Sequence, residues 1–350
     1  MKVLLVCNPK TTGNPFVVTL CDELNRQGCY ATMSSEELWS AKDYDVIHFQ
    51  WPEAVFDWTM TVSQNQVEKL TKKLDCLKSE GKKIVITCHN LKPHTRKDKG
   101  VLSLYGIIYN RCDMFIHLGS YSKELLEKQY PEAKHIIIPH HIYDTLYQFN
   151  LDKKACQREL NINSDNFNVL CFGKFRNDEE RNMLIRLYKR CKQKQINFIT
   201  PGFYKMNWIS RNVFNIPGII AKHICYKLLG FRYKNRSLSD EELVKYFTAS
   251  DAVLIQRLSI LNSGNLPMGY FAGKVVVGPN VGNVGRILSE TGNPTFDPQS
   301  MESIYQKLLE ARRLSMTSKG IENRRLALKK WKTECIAKEL IDAYQSIVIN

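Results

Sequence analysis

The chain has 350 residues, 43% of them apolar and 24% charged, with a mean hydropathy of −0.32, a balance that excludes intrinsic disorder and suffices for two ordinary cores. No apolar stretch exceeds eight residues, against the roughly 20 that cross a bilayer, and no charged-then-apolar leader opens the sequence, so a cytoplasmic protein is expected. The net charge is +15, and residues 174–236 alone hold 15 basic against 3 acidic side chains, which calls for a partner rich in phosphate: a nucleotide, a nucleic acid or an anionic membrane. The 11 cysteines are scattered and form no CxxC pair, so they read as reduced core residues.

Residues 2–7 form an apolar run ended by Asn8-Pro9, and a helical pattern over 16–26 stops at Gly28. Strands are predicted over 30–33, 45–49 and 83–87, the last preceded by an amphipathic, Lys-rich helix over 64–79. Further strands fit 114–118 and 135–138, with a helix over 122–129 between them. Such alternation implies a parallel sheet covered on both faces. From 146 to 166 the chain turns polar. The expected organisation is therefore an N-terminal domain over 1–150, a linker over 151–166 and a second α/β domain over 167–324. The second domain reads as a strand over 168–172, a helix over 180–192, a strand over 196–200, a helix over 240–248, a strand over 252–255, a helix start over 266–272 and a strand over 275–278. A terminal helix in 325–350, with apolar periodicity over 325–347, is expected to pack back toward the N-terminal domain.

In parallel α/β sheets, ligands collect beyond the carboxyl ends of the strands, where loops and helix N-termini present unpaired N–H groups. The loop after the first strand runs from Asn8 to Pro15 through Gly13 and Asn14; no GKS or GKT occurs, so it is not a Walker loop, and it is either a plain βα turn or a substrate-contacting one. The third strand ends in His48-Phe49-Gln50-Trp51-Pro52-Glu53, and the fourth in Thr87-Cys88-His89-Asn90-Leu91-Lys92-Pro93-His94. The fifth ends in His117, Gly119 and Ser120, and the sixth in Pro139-His140-His141-Ile142-Tyr143. Seven of the eight histidines thus fall between 48 and 141, most at or near strand ends. Singly, each is more often structural than catalytic; together they describe a polar, proton-capable lining. Zinc is the rival occupant, but no HExxH or HxxxH spacing occurs, and no metal site is expected.

In the second half, Gly173-Lys174-Phe175-Arg176 leads through Asn177 to Arg181 into a helix. A glycine at a strand end followed by cations at a helix entrance suits a diphosphate. Asn262-Ser263-Gly264-Asn265-Leu266-Pro267 and Gly278 to Gly285 precede further helices, where small residues let backbone N–H groups approach phosphate oxygens; simple tight turns are the alternative.

The order of these features resembles a GT-B glycosyltransferase, closest to the family 4 type, over nearly the whole chain. The strongest stretch is Leu238 to Leu288, with Ser239-Asp240-Glu241-Glu242-Leu243, Ala249-Ser250-Asp251-Ala252, Ala272-Gly273-Lys274 and Gly282-Asn283-Val284-Gly285. His48 to Glu53, Thr87 to His94, Pro139-His140 and Tyr143 are similar to acceptor-side motifs of bacterial polysaccharide glycosyltransferases. The resemblance implies two Rossmann-like doubly wound parallel-sheet domains facing across a cleft. It also implies a nucleotide-sugar donor held by Gly173, Lys174, Arg176, Arg181, Asn262, Ser263, Gly264 and Asn265. The acceptor, a glycan or lipid-linked glycan of capsule or exopolysaccharide biosynthesis, would meet Asn14, Trp51, Asn90, His94, His140 and Tyr143. One departure stands out. The family pattern carries two glutamates eight positions apart before the Ala-Gly-Lys segment, and 260–268 holds no carboxylate, leaving Ser263 and Asn265 as neutral partners for the same hydroxyls.

Lys174, Arg176 and the Ser263-Gly264 backbone would stabilise the leaving diphosphate, with no metal and no cofactor. Glu53 or His89 is the candidate base if the anomeric centre inverts; if it is retained, both position substrates. Residues 204–236 mix apolar side chains with Lys205, Arg211, Lys222, Lys227, Arg232, Lys234 and Arg236 and contain no acid. That is either docking on the anionic inner face of the cytoplasmic membrane or an insertion packed on the second domain. Two other classes compete. One is a degenerate, non-catalytic binder of sugar nucleotides. The other is a basic nucleic-acid-binding protein, disfavoured because no RNP motif, zinc-finger spacing or helix-turn-helix is present.

Overall fold

The computed structural model describes residues 1–12, 15–93, 98–191, 194–204, 216–229, 231, 233, 234 and 236–348. The chain forms two units, Met1–Leu146 with Lys329–Asn350, and Tyr147–Leu328. The first begins β1 (Lys2–Val6), α1 (Pro15–Arg26), β2 (Tyr30–Met33), β3 (Val46–Phe49), α2 (Gln64–Ser79) and β4 (Lys83–Thr87). It continues with α3 (Lys99–Tyr109), β5 (Met114–His117), α4 (Ser120–Glu127) and β6 (Lys134–Ile137). Its six strands are all parallel, in the order β2-β1-β3-β4-β5-β6. Helices cover both faces, so β1, β3 and β4 read as near-continuous apolar runs rather than alternating ones.

Local chemistry sets the helix starts. Ser63 and Gln66 form a reciprocal capping box at α2, and Leu70, Leu74 and Leu77 then fall on the core face, each contributing roughly 1.5–3 kcal/mol of burial. α3 was not predicted, because Gly100 and Gly106 weaken its helical signal. It is capped by Asp98, which accepts from Val101 N–H at 3.1 Å, and it needs a glycine at 100, where a Cβ would lie 1.9 Å from the Val62 carbonyl oxygen.

The second unit contains α5 (Lys153–Glu159), β7 (Phe167–Leu170), α6 (Asp178–Cys191), β8 (Ile196–Ile199), α7 (Ile216–Leu228), α8 (Asp240–Ala249) and β9 (Ala252–Leu254). After these come α9 (Asn265–Phe271), β10 (Val275–Pro279), α10 (Gly282–Glu290), β11 (Thr295–Phe296), α11 (Met301–Ser315) and α12 (Lys319–Lys330), whose end passes into the first unit. Five parallel strands follow the order β11-β10-β9-β7-β8 around a separate core. Phe203 and Phe231 stack within it at 4.3 Å. α13 (Thr333–Val348) belongs to the first unit and packs on α1.

Two differences from the predicted elements have clear causes. The stretch 151–166, expected as a linker, contains α5, capped by Asp152 and packed on α8, with Gln157 Nε2 donating to the Ala249 carbonyl. The terminal helix is broken at Trp331-Lys332: the Trp331 carbonyl accepts from Ile142 N–H, and Thr333 restarts the helix against Asp144. A two-residue break barely disturbs a 3.6-residue period, so it was not legible.

Each sheet reverses direction once, between β1 and β3 in the first unit and between β7 and β9 in the second. Loops leaving neighbouring strands diverge there and open a crevice beyond the carboxyl ends. These two places hold the candidate site residues.

Candidate functional site

In the first unit the strand-end histidines pack around Phe16, at the start of α1. The Phe16 ring lies 5.0 Å from His89 edge-on, 4.5 Å from His140 and 4.6 Å from His141, which it stacks. Trp51 covers a face of His89 at 4.2 Å, and Gln50 Oε1 sits 3.0 Å from His89 Nε2. Tyr143 N–H donates to His141 Nδ1 at 3.2 Å, so His141 carries its proton on Nε2 and donates it toward the Phe16 carbonyl. Tyr143 meets His140 edge-on at 5.4 Å and has φ +57°, the left-handed region, which turns the chain at this corner. Burial disfavours the imidazolium throughout: His48 and His141 are pushed down to about 3 and His140 to about 4. His89 is held well below its usual range by burial and then by the neighbouring histidines.

Glu53 lies in a short 3₁₀ turn, Pro52–Phe56, and both of its carboxylate oxygens accept from the Tyr105 hydroxyl, at 3.1 and 3.0 Å. Burial and this carboxylate push the Tyr105 pKa far up, so the phenol stays a donor. The Asn90 carbonyl accepts from Tyr109 at 3.2 Å. The fold thus brings His89 and His140 onto the Phe16 ring, with Trp51 stacked on His89 and Tyr143 against His140, while Glu53 and Asn90 are tied to tyrosines of α3. Asn14 and His94 lie outside the described residues.

In the second unit, Gly173 and Lys174 line a cavity of about 250 Å³ with Phe172, Pro201, Gly202, Tyr204, Arg236, Ser237, Leu238 and Leu243. The loops after β7 and β8 touch there backbone to backbone: Gly173 has φ +90°, and a Cβ on Gly202 would lie 2.3 Å from the Gly173 carbonyl oxygen. Behind this wall sits a buried ionic cluster. Glu180 accepts from Arg176 N–H at 2.8 Å and from Arg257 at 2.5 Å, and Arg257 also donates to the Lys174 carbonyl at 2.5 Å. Burial pulls the pKa of Arg176 and Arg257 down, opposed by Glu180. Arg181 is committed to Asp178 and the Phe175 carbonyl and braces the loop. Asn262 accepts from Asn283, Ser263 accepts from Asn265 N–H, and Asn265 Nδ2 donates to the Phe172 carbonyl at 2.8 Å.

Among the described residues, no group of three or more His, Cys, Asp or Glu side chains is placed to hold a metal ion. The Asp-X-Asp triplet Asp43-Tyr44-Asp45 precedes β3, at the end of the sheet opposite the site residues, where Asp45 accepts from Lys2 N–H at 2.8 Å.

Neither a protein-family model nor a curated protein sequence matches the chain. Solved structures do. Sucrose-phosphate synthase of Thermosynechococcus elongatus superposes with a TM-score of 0.73 at 13% identity, over 99% of this chain and 99% of that one. Anabaena HepE, in complex with UDP and glucose, gives 0.69 at 14% identity, over 99% and 100%. The chain has the GT-B fold. The GT-B expectation and the two α/β units are therefore met, and the fold is what these distant likenesses establish. A putative UDP-N-acetylglucosamine 2-epimerase from Listeria monocytogenes also superposes, with a TM-score of 0.61 at 10% identity over 99% and 96% of the chains, so GT-B architecture by itself does not fix the reaction.

Several residues of this GT-B chain escaped the sequence reading. Gln256 and Arg257 lie just beyond β9, after Ile255, and hold the Phe172 and Lys174 carbonyls; the strand-end rule applied to that strand would have found them. Phe16 and Glu180 carried no such signal, because their importance lies in side chains brought from elsewhere in the chain; Gln50 stood in the strand-end run His48 to Glu53, but its partners did not show.

Proposed function

We propose that the protein is a glycosyltransferase that moves a sugar from a nucleoside-diphosphate donor to a glycan or lipid-linked glycan of cell-surface polysaccharide synthesis. The observation that carries this reading is the cavity beyond β7 and β8, lined by Lys174 and a backbone close-packed at Gly173 and Gly202, with Arg236, paired to Glu242, at its edge. HepE, of the same fold, is known in complex with UDP and glucose, which agrees with such a donor. Lys174 and Arg176 would carry the leaving-group charge without a metal. His89, whose burial makes its imidazolium costly, would accept a hydrogen bond from the acceptor hydroxyl rather than store its proton, with Trp51 and His140 beside it. Glu53, already accepting from Tyr105, would position the acceptor.

The experiment is calorimetric titration with UDP and GDP, followed by a panel of nucleotide sugars with and without glycan acceptors. Binding of a nucleoside diphosphate that is weakened in Lys174→Ala is expected; absence of binding to every diphosphate would refute the reading. The degenerate-binder reading is favoured by one observation, the carboxylate-free 260–268 segment, whose Asn262, Ser263 and Asn265 are engaged within the unit. Tight diphosphate binding with no turnover of any sugar nucleotide would decide for it.

We also place the enzyme in the cytoplasm at the inner membrane face. No described helix is long and apolar enough to cross a membrane. On α7, Ile220, Ile224 and Leu228 are spaced one turn apart and exposed by 40%, 51% and 83%. Among the described residues, the nearby cations are engaged: Lys222 with Asp178, Lys227 over the Tyr233 ring, and Lys234 and Arg236 with Glu242. Residues 205–215 of the predicted docking segment lie outside the described residues. Docking would therefore rest on the apolar stripe more than on these cations. Co-sedimentation with anionic liposomes should be lost in Ile220→Ser/Ile224→Ser/Leu228→Ser; sedimentation equal to the unmodified protein would remove α7 from the interface.

A further inference from the structure

The turn that follows β7 is held by its carbonyl oxygens. Gln256 Nε2 donates to the Phe172 carbonyl at 3.1 Å, Asn265 Nδ2 donates to the same oxygen at 2.8 Å, and Arg257 donates to the Lys174 carbonyl at 2.5 Å. A main-chain carbonyl only accepts, so the end of each amide that faces Phe172 is its nitrogen; reversed, two acceptor oxygens would meet at the same distance. Gln256 and Asn265 come from beyond β9 and from the start of α9, across the point where the second sheet reverses. Neither lines the cavity that Phe172, Gly173 and Lys174 line.

These carbonyls decide where the N–H groups point. A peptide unit is planar and trans, so its C=O and N–H point in opposite directions, and a Phe172 carbonyl fixed on two amides keeps the Gly173 N–H turned away from them. The Gly173 carbonyl is packed against Gly202, where a Cβ would lie 2.3 Å from its oxygen, and this sets the Lys174 N–H in the same way. Neither N–H has a hydrogen-bond acceptor among the described residues. Gly173, at φ +90°, makes the left-handed bend that lets consecutive N–H groups converge on an anion.

Stability alone does not explain a glutamine at 256. The residue is 1% exposed, and its Oε1 has no hydrogen-bond partner among the described residues. A buried acceptor without a donor lowers folding free energy, a loss that an apolar side chain of the same length would not incur. What the amide adds is the second hydrogen bond to the Phe172 carbonyl, and with it the direction of the Gly173 N–H.

We propose that Gln256, together with Asn265, is a positioning residue for a diphosphate: it fixes the Phe172–Gly173 peptide unit so that the turn presents N–H groups, and not a carbonyl oxygen, to the phosphates. It touches no ligand itself, and the proposal rests on the nucleotide-sugar reading for the identity of that ligand. Asn265, expected from the sequence as a direct donor contact, acts through the same carbonyl.

Gln256→Met tests this in the whole chain, because it keeps the length of the side chain and removes both the amide donor and the unpaired oxygen. Its urea midpoint should equal or exceed that of the unmodified protein. Calorimetry should show UDP or GDP, whichever the unmodified protein binds, weakened by roughly fivefold or more. Inorganic pyrophosphate, measured by displacement of that nucleotide, should weaken by a similar factor, since the turn acts on the phosphates. Gln256→Met/Asn265→Leu, which releases the carbonyl from both amides, should lose more. A nucleotide affinity within about twofold of the unmodified protein overturns the proposal, as does a weakened nucleotide with unchanged pyrophosphate. A lost affinity accompanied by a lower urea midpoint, or failure to fold, overturns it too, because Gln256 would then serve only the structure. Binding of neither nucleotide by the unmodified protein would refute the donor reading itself, and this proposal with it.

Discussion

Between pH 7.5 and 5.5 the first unit should lose most of its resistance to urea. Five of its histidines are neutral in the fold, His48, His89, His117 and His141 buried and His140 half-buried, and four of them are pushed down to about 3 or 4. In the unfolded chain the same imidazoles take up protons near pH 6.5. The stability they contribute is therefore complete above about pH 6.5 and is lost as pH falls toward 3. Each group costs about 1.4 kcal/mol per pH unit in that window. Acting together over the unit between pH 6.5 and 5.5 they would remove about 7 kcal/mol, comparable with a typical folding free energy of about 5–15 kcal/mol. Four of the five tryptophans, Trp39, Trp51, Trp58 and Trp331, belong to this unit, so tryptophan fluorescence in a Trp208→Phe background reports it. A urea midpoint that stays constant from pH 7.5 to 5.5 would mean that these histidines are already charged in the folded state.

Arg257→Met should destabilise the second unit by about 3–5 kcal/mol and weaken nucleotide binding as well. The side chains of Arg257 and Glu180 are 13% and 5% exposed, so removing the guanidinium leaves a buried carboxylate with Arg176 N–H as its remaining hydrogen bond shown here. The Lys174 carbonyl loses its donor at the same time, which frees the wall of the cavity. Glu180→Met/Arg257→Met removes both charges and should recover much of the stability but not the affinity. Chemical denaturation of the two variants, with diphosphate titration of each, separates these effects. A single substitution costing less than about 1 kcal/mol would show that the pair is solvated.

The parallel strands were legible because each is a short apolar run stopped by a polar or Gly/Pro cluster, and both sheets follow from that alternation. The residues at their carboxyl ends were legible for the same reason, which is how His89, Trp51, Gly173 and Lys174 came into view. What the sequence concealed lies in long-range pairing. Nothing near Gln50 indicates that its amide sits between His48 and His89, and nothing near Glu180 indicates Arg257, 77 positions away. α5 was concealed for another reason: its polar sequence buries only Cys156 and Gln157, so it has almost no apolar period to read. Lys222, Lys234 and Arg236 looked uncompensated in sequence because their partners, Asp178 and Glu242, lie on α6 and α8.

Tyr344, on α13, has a consequence for how the molecule comes into being. The first unit is built from two stretches separate in sequence, and the second from the stretch between them. During translation, every part of the second unit has emerged once residue 328 leaves the ribosome. The histidine lining waits longer, because the Tyr344 phenol that meets the buried His48 is made only after the whole of the second unit.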